Sequence, residues 1–317
     1  MQELRGLRTE LSSYIIRRIL LVIPVVLGVV TLVFFLIHLI PGDPVDIMLG
    51  ENASAADRES LTRALHLNEP LGVQYLHFLG RLGHGDLGMS LHSKKAVLPT
   101  ILGRYPNTLE LALFAMCIAV LIALPLGTLS ALKQHSIVDS SSLFFSLLGV
   151  SLPNFWLGPL LILLFSVHFD LFPVSGKEGF MDFVLPAITL GLGMAAILTR
   201  MIRSSLLEVK NREYILCSRA KGIPQIQVVL KHTLRNALIP VVTIVGLQFG
   251  GLLAGSIITE TIFSWPGIGR LTVQAISARD YPLVQGCVLM ISLTYVFINL
   301  GTDLLYAFID PRIKYQK

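Results

Sequence analysis

An all-α polytopic membrane protein with six transmembrane helices is the architecture this sequence predicts, and three observations predict it. Hydrophobic residues make up 53% of the 317 residues and charged ones 14%, whereas soluble chains carry about 25% charge. The apolar residues gather in runs of roughly twenty, the length that crosses a hydrocarbon core of about 30 Å. Between the runs the charge is lopsided: of 25 Lys and Arg, sixteen fall in segments that six crossings place on one side, and nine on the other. Six of those nine lie in one long segment that translocates whatever its charge, so the basic side is the cytoplasm and both termini lie there. A net charge of +5 and a pI near 9.2 are explained by that orientation, and no nucleic-acid partner is expected.

Three units follow in order. Residues 1–40 are a cytoplasmic arm with Arg5, Arg8, Arg17 and Arg18 and a first span over 19–40, interrupted only by His38, which reads as interfacial. The run is too long for a signal peptide and lacks a small-residue cleavage site. Pro41-Gly42-Asp43-Pro44 ends it sharply. Residues 41–105 form an extracytoplasmic subdomain with seven acidic and six basic residues, in which Ser54 to Asp57 reads as a capping box opening a helix that ends near His66.

Residues 106–317 are the remaining five-helix core. The second span covers 111–132, entered through Tyr105 to Glu110. The third covers 143–168, kinked or broken at Pro153. Asp182 is the expected N-cap of the fourth, 183–199, which continues as helix past Arg200 and Arg203 because Ser204 to Lys210 holds no breaker. The fifth covers 237–259 and the sixth 282–309. Cys117, Cys217 and Cys287 lie far apart without metal-ligand spacing.

The loop 200–240 is the organising stretch. It carries eight basic residues against Glu208 and Glu213, and reads as helix, break, helix. Gly222 suits a left-handed helix end, and Pro224 the first turn of the next helix. A short helix over 212–221 is thereby set at an angle to its successor, an exposed elbow suited to docking a partner.

Absences narrow the chemistry. The sequence has no G-x-x-x-x-G-K-[ST], no G-x-S-x-G, no H-E-x-x-H and no paired His/Cys spacing. With no nucleotide site and no cofactor expected on this chain, ATP-driven work needs ATP and Mg on a separate polypeptide. A proton-coupled carrier, the alternative of another transport class, usually needs several buried ionisable groups, and only Asp303 lies well inside an apolar run. Asp303 pairs with an arginine, caps a neighbouring backbone, or is functional. A membrane-embedded protease lacks a nucleophile and base pair.

For a path, Gln248 and Asn154 are the neutral polar candidates. Gly246-x-x-x-Gly250 and Gly251-x-x-x-Gly255 allow close helix approach, either within the chain or at the seam with a second, homologous chain. At about 100° per residue, Gln248 falls beside the stripe holding Gly246 and Gly250, and Asn154 beside the Pro153 break offers a second amide. The expected path is mainly apolar and lined in part by Asn154, Gln248 and Gly250.

The string Tyr214-Ile215, Arg219-Ala220-Lys221-Gly222, then Lys231 to Ala237 resembles the "EAA" loop of binding-protein-dependent ABC importer permeases, in its dipeptide, oligopeptide and nickel form. The general pattern's glycine falls on Gly222. Its Glu-Ala-Ala falls on Leu216, Cys217 and Ser218, and its proline on Arg235, departures that fit the peptide branch. The strings at 40–44, 85–88, 107–111, 151–156, 259–267, 279–282 and 310–312 resemble the "B" permease subunit of peptide importers, most of all the dipeptide permease. The resemblance implies a type I ABC importer permease fold and import by alternating access. It also implies a second homologous permease, two ATPases, an extracytoplasmic solute-binding protein and membrane lipid as partners. It makes Arg212, Tyr214, Ile215, Arg219, Ala220, Lys221 and Gly222 the ATPase-coupling residues. Nickel or a metal chelate is the alternative substrate.

Overall fold

A computed structural model describes residues 2–36, 38, 45, 49, 54–64 and 67–309; the side chains of 2–14, 64, 219, 255 and 306–309 are outside the described set. The helices are α1 (Gln2–Phe35), α2 (Ala55–Ala64), α3 (Leu71–Gly83), α4 (Val97–Leu132), α5 (Ile137–Ser151) and α6 (Asn154–Leu161). They continue as α7 (Met181–Lys210), α8 (Glu213–Ala220), α9 (Arg235–Ile262), α10 (Ile268–Ser277) and α11 (Tyr281–Ile309). Among the described residues, five helices are long and apolar enough to cross a membrane, or six if α5 and α6 are one broken span. The molecule is therefore an all-α polytopic membrane protein, as its composition predicts.

Several boundaries differ from the sequence reading. The helix of the second span starts at Val97, so the boundary expected at 105 falls inside α4, which carries Pro106 in its interior. The third span starts at Ile137 and breaks where expected, but by 104°. Proline disfavours helical geometry in the residue before it; Leu152 is accordingly extended at φ −86 and ψ 116, and Pro153 at φ −67 and ψ 141. Past Leu161, α6 runs into a π-helical stretch, Ile162–His168. Asp182 is not the N-cap of α7 but lies in its first turn, where its Oδ2 accepts from the N–H groups of Glu178 and Gly179 at 2.6 and 2.7 Å. Pro224 is the N-cap of its helix instead of the first helical residue. The N-cap half of the capping box forms, with Ser54 Oγ accepting from the Asp57 N–H at 3.1 Å, while the Asp57 carboxylate accepts from the Ser54 hydroxyl at 2.6 Å. Its expected end, His66, is outside the described residues, as are the 41–44 and 310–317 strings.

The core is a seam between α4 and α7. Ala112, Ala115, Ala119 and Ala123 of α4 are fully buried, facing Ala187, Leu190, Leu198 and Ile202 of α7. A Cβ at Gly191 would sit 2.7 Å from the Ala115 carbonyl oxygen, and one at Gly127 2.8 Å from the Thr199 oxygen. Both residue numbers rise together, so the helices run parallel, and small residues let their backbones meet where lipid offers no hydrophobic drive.

Charges pin one end of this bundle. Asp139 at the start of α5 accepts from Arg203 of α7 through both oxygens, at 2.7 and 2.8 Å. Ser130 Oγ and the His135 N–H also donate to it, at 2.5 and 3.0 Å. Arg18 of α1 meets Asp303 of α11 at 2.8 Å, the arginine alternative for Asp303. At the opposite end α3 packs along α1: the Tyr75 and Thr31 hydroxyls lie 2.7 Å apart, and His38 Nε2 is 3.0 Å from Gln74 Oε1.

Candidate functional site

The elbow begins where α7 ends at Lys210 and its cap Asn211. Gly222 follows α8 at φ +74 with open space where a Cβ would stand, so backbone conformation alone demands glycine there. One buried side chain, Ile215, anchors α8, and the Tyr214 hydroxyl accepts from Asn236 Nδ2 at 3.0 Å. Beneath lies a π-helical stretch, Val228–Leu234, running into α9. Its Thr233 hydroxyl donates to the Val228 carbonyl five residues back, at 3.1 Å.

The outer face of this elbow is open. Arg212, Tyr214, Leu216, Cys217, Ala220 and Lys221 are exposed, and Ile226 and Leu230 beyond the turn are 73% and 58% exposed. Arg212 pairs with Glu208 one turn back in α7 at 2.5 Å, while the Arg219 side chain is outside the described residues. Arg203, counted among the loop's basic residues, is committed to Asp139.

The path residues are not brought together. Gly158 of α6 packs against Ile262 and Phe263 at the far end of α9, fourteen residues from Gln248, or about 21 Å along a helix. Asn154 therefore sits near one end of α9 and Gln248 near its middle, both half-buried. Gly246 and Gly250 pack against α11 of the same chain: a Cβ at Gly246 would lie 2.5 Å from Thr302 Oγ1, and one at Gly250 3.1 Å from the Tyr295 ring. Of the two seams the glycines allowed, this pair serves the one inside the chain. The open stripe of α9 holds instead Leu247, Gly251, Ala254 and Ile258. Beside it α11 presents Ser292, Tyr295, Asn299 and Asp303 at spacings of three and four, a polar face the sequence reading missed although the helical period was visible.

At the other end from the elbow, residues far apart in sequence close into two knots. Glu260 is fully buried and accepts from Thr108 Oγ1 at 2.6 Å, the Arg270 N–H at 3.0 Å and Ser256 Oγ at 3.2 Å. Asn107 Nδ2 donates to the Pro266 carbonyl at 2.7 Å, and Trp265 Nε1 to the Asn107 carbonyl at 2.9 Å. Lys177 reaches Asn107 Oδ1 at 2.6 Å, contacts Glu110, and stands over the Phe183 and Trp265 rings. In the second knot buried Asp280 accepts from Ser90 Oγ at 2.5 Å and the Leu91 N–H at 3.1 Å.

These knots join the strings that carried the resemblance, and comparison with known proteins agrees. Residues 123–315 match the binding-protein-dependent transport system inner membrane component family, and residues 11–112 the N-terminal part of such membrane components. The chain belongs to that family. It is a permease of the ABC importer class. The dipeptide transport system permease protein DppB of Escherichia coli K12 is 44% identical over 337 residues, covering 96% of this chain and 99% of the relative. A Pseudomonas aeruginosa di/tripeptide transport system permease protein DppB is also 44% identical, over 336 residues, with the same coverages. The glutathione transport system permease protein GsiC of Pectobacterium atrosepticum is 43% identical over 304 residues, again covering 96% and 99%. Among solved structures, an inward-facing MetNI methionine ABC transporter matches at TM-score 0.55 and 20% identity, covering 68% of this chain and 98% of that one, a likeness of fold.

In this permease the donors to Glu260 and Asp280 were the readable residues left unread. Each knot ties polar side chains to strings that glycine, proline or tryptophan had already marked.

Proposed function

We propose that this permease is the transmembrane subunit of an ATP-driven importer of di- and oligopeptides, moving them across the inner membrane by alternating access. The observation that carries it is 44% identity over 96% of the chain to permeases named for dipeptide and di/tripeptide transport. It pairs with a second homologous permease and receives peptide from a solute-binding protein on the side of residues 41–105. Two ATPases bind inside and hold the ATP and Mg. Both termini are cytoplasmic, since the arm and the loop 200–240 carry most of the short-loop positive charge.

The geometry supports α8 as the ATPase-coupling helix. Its exposed face is held by one buried isoleucine, and Gly222 fixes the turn that aims it. Arg212, Tyr214, Ile215, Arg219, Ala220, Lys221 and Gly222 remain the proposed coupling residues. Gln248, with the open α9 stripe, and Asn154 at the α6 break are the proposed path groups; Gly250 acts as the α9 to α11 spacer. Neutral amides on an apolar wall suit a peptide backbone.

The test is reconstitution with the second permease, the ATPases and the binding protein in proteoliposomes. ATP-dependent uptake of labelled dipeptide is expected. Uptake of nickel but not peptide would move the substrate to a metal complex, and peptide uptake by this chain alone on a proton gradient would overturn the ABC reading.

A further inference from the structure

The polar stripe of α11 itself lines a groove of about 570 Å³ between α1 and α11, floored by Ala254 of α9. One wall is Arg18, Val22, Val25 and Val29 of α1; the other includes Val296 and Leu300 of α11. From Arg18 to Val29 a helix rises about 16 Å, roughly half of a 30 Å hydrocarbon core. The groove is thus one leaflet deep. Its outer mouth is ionic, where Arg18 meets Asp303 with 43% and 33% of their side chains exposed. Arg17, the next residue along α1, is exposed. Deeper in, the wall turns apolar through valines at positions 22, 25 and 29, one face of the helix. One turn below Asp303, Asn299 lines the groove with a buried amide oxygen that finds no partner among the described residues.

We infer that this groove binds one phospholipid of the leaflet facing the N-terminal arm. The phosphate meets Arg18, and an acyl chain lies along Val22, Val25 and Val29. Charge at the mouth, a valine wall on α1 below it and a depth of one leaflet match a phospholipid. An amide at Asn299, about 6 Å below the ion pair, stands at the level of the glycerol esters, where it turns to donate to a carbonyl. The site stands whichever solute is carried, because it needs only that α1 and α11 span the bilayer.

Native mass spectrometry of the detergent-purified complex, exchanged against dioleoyl phosphatidylglycerol and then washed, tests it. The parent should retain one phospholipid per copy of this chain. Val25→Trp fills the groove from a half-exposed position and should retain at least tenfold less, as should the double variant Arg18→Gln with Asp303→Asn. A tenfold loss corresponds to one charge-assisted hydrogen bond or its equivalent. Equal retention by parent and Val25→Trp overturns the inference. So does efficient cross-linking of a photoreactive residue at position 25 to the second permease in place of lipid.

Discussion

Removing Asp139 should cost this permease more than any exposed charge. Its carboxylate is 3% exposed and accepts from four donors, two of them from Arg203 in a bidentate fork at 2.7 and 2.8 Å. Asp139→Ala leaves Arg203 facing a cavity and Ser130, fully buried, without its acceptor. Breaking a buried pair from one side costs about 3–5 kcal/mol. The Arg203 side chain keeps 20% exposure and recovers some water, which sets the expectation at the low end, about 3 kcal/mol. At about 2–4 °C per kcal/mol for large chains, the assembled complex should melt about 6–12 °C lower. Arg203→Lys keeps the charge but loses the fork and should lie between that variant and the parent. Arg212→Ala, whose partner Glu208 is 69% exposed, should shift melting by about 1 °C or less. Fluorescence-detected size-exclusion after graded heating reads all three. An Asp139→Ala complex melting within about 2 °C of the parent, or no steeper than Arg212→Ala, refutes the reasoning.

Gly222→Val places a β-branched residue at φ +74 and should cost about 1–2 kcal/mol. ATPase co-purification should fall about tenfold, while Gly222→Asn, which tolerates that conformation, stays near the parent. Gly246→Leu and Gly250→Leu drive side chains into Thr302 and Tyr295 and should reduce correctly inserted protein on membrane blots. Gly251→Leu, whose Cβ would meet only Gln248 Oε1 at an ordinary 3.9 Å, should insert normally. Dipeptide uptake should fall further in Gly250→Leu than in Gln248→Leu. A cysteine replacing exposed Lys94 should react with an impermeant maleimide in intact spheroplasts; labelling only after lysis would reverse the orientation.

The spans and the elbow were legible because each rests on a local rule. Apolar runs set the crossings, Pro153 the break, and Gly222 with Pro224 the turn. What escaped needs tertiary contacts. Asp139 and Arg203 stand 64 positions apart, and nothing in either neighbourhood marks them as a pair. Pro106 reads as a boundary, yet α4 holds it in mid-helix. The close seam was sought among the glycines of α9, whereas the deepest one is built from alanines of α4. Their spacing of three and four was readable, but alanine is an ordinary helix residue and draws no notice. Neighbours, not period, separated Asn154 from Gln248.

The two knots at the far end explain why strings from opposite halves of the sequence occur together. A fully buried carboxylate such as Glu260 is tolerable only if donors surround it, and here they come from α4, from its own helix and from the start of α10. Those donors reach it only if the backbone comes close. A Cβ at Gly267 would overlap the Glu260 carboxyl, and one at Gly269 would lie 2.6 Å from Ile257 Cα. The Thr108 hydroxyl serves both sides, donating to Glu260 and accepting from the Ile268 N–H at 2.9 Å. Loss of any one member strands the others, so Thr108, Glu260, Gly267 and Gly269 form one packing problem. The elbow is the opposite case: among the described residues, α8 is held by Ile215 and one amide-to-phenol bond. Elements with few buried contacts open first. One end of α9 is therefore locked to α4 and α10, while its other end carries a lightly anchored element, as the proposed coupling role requires.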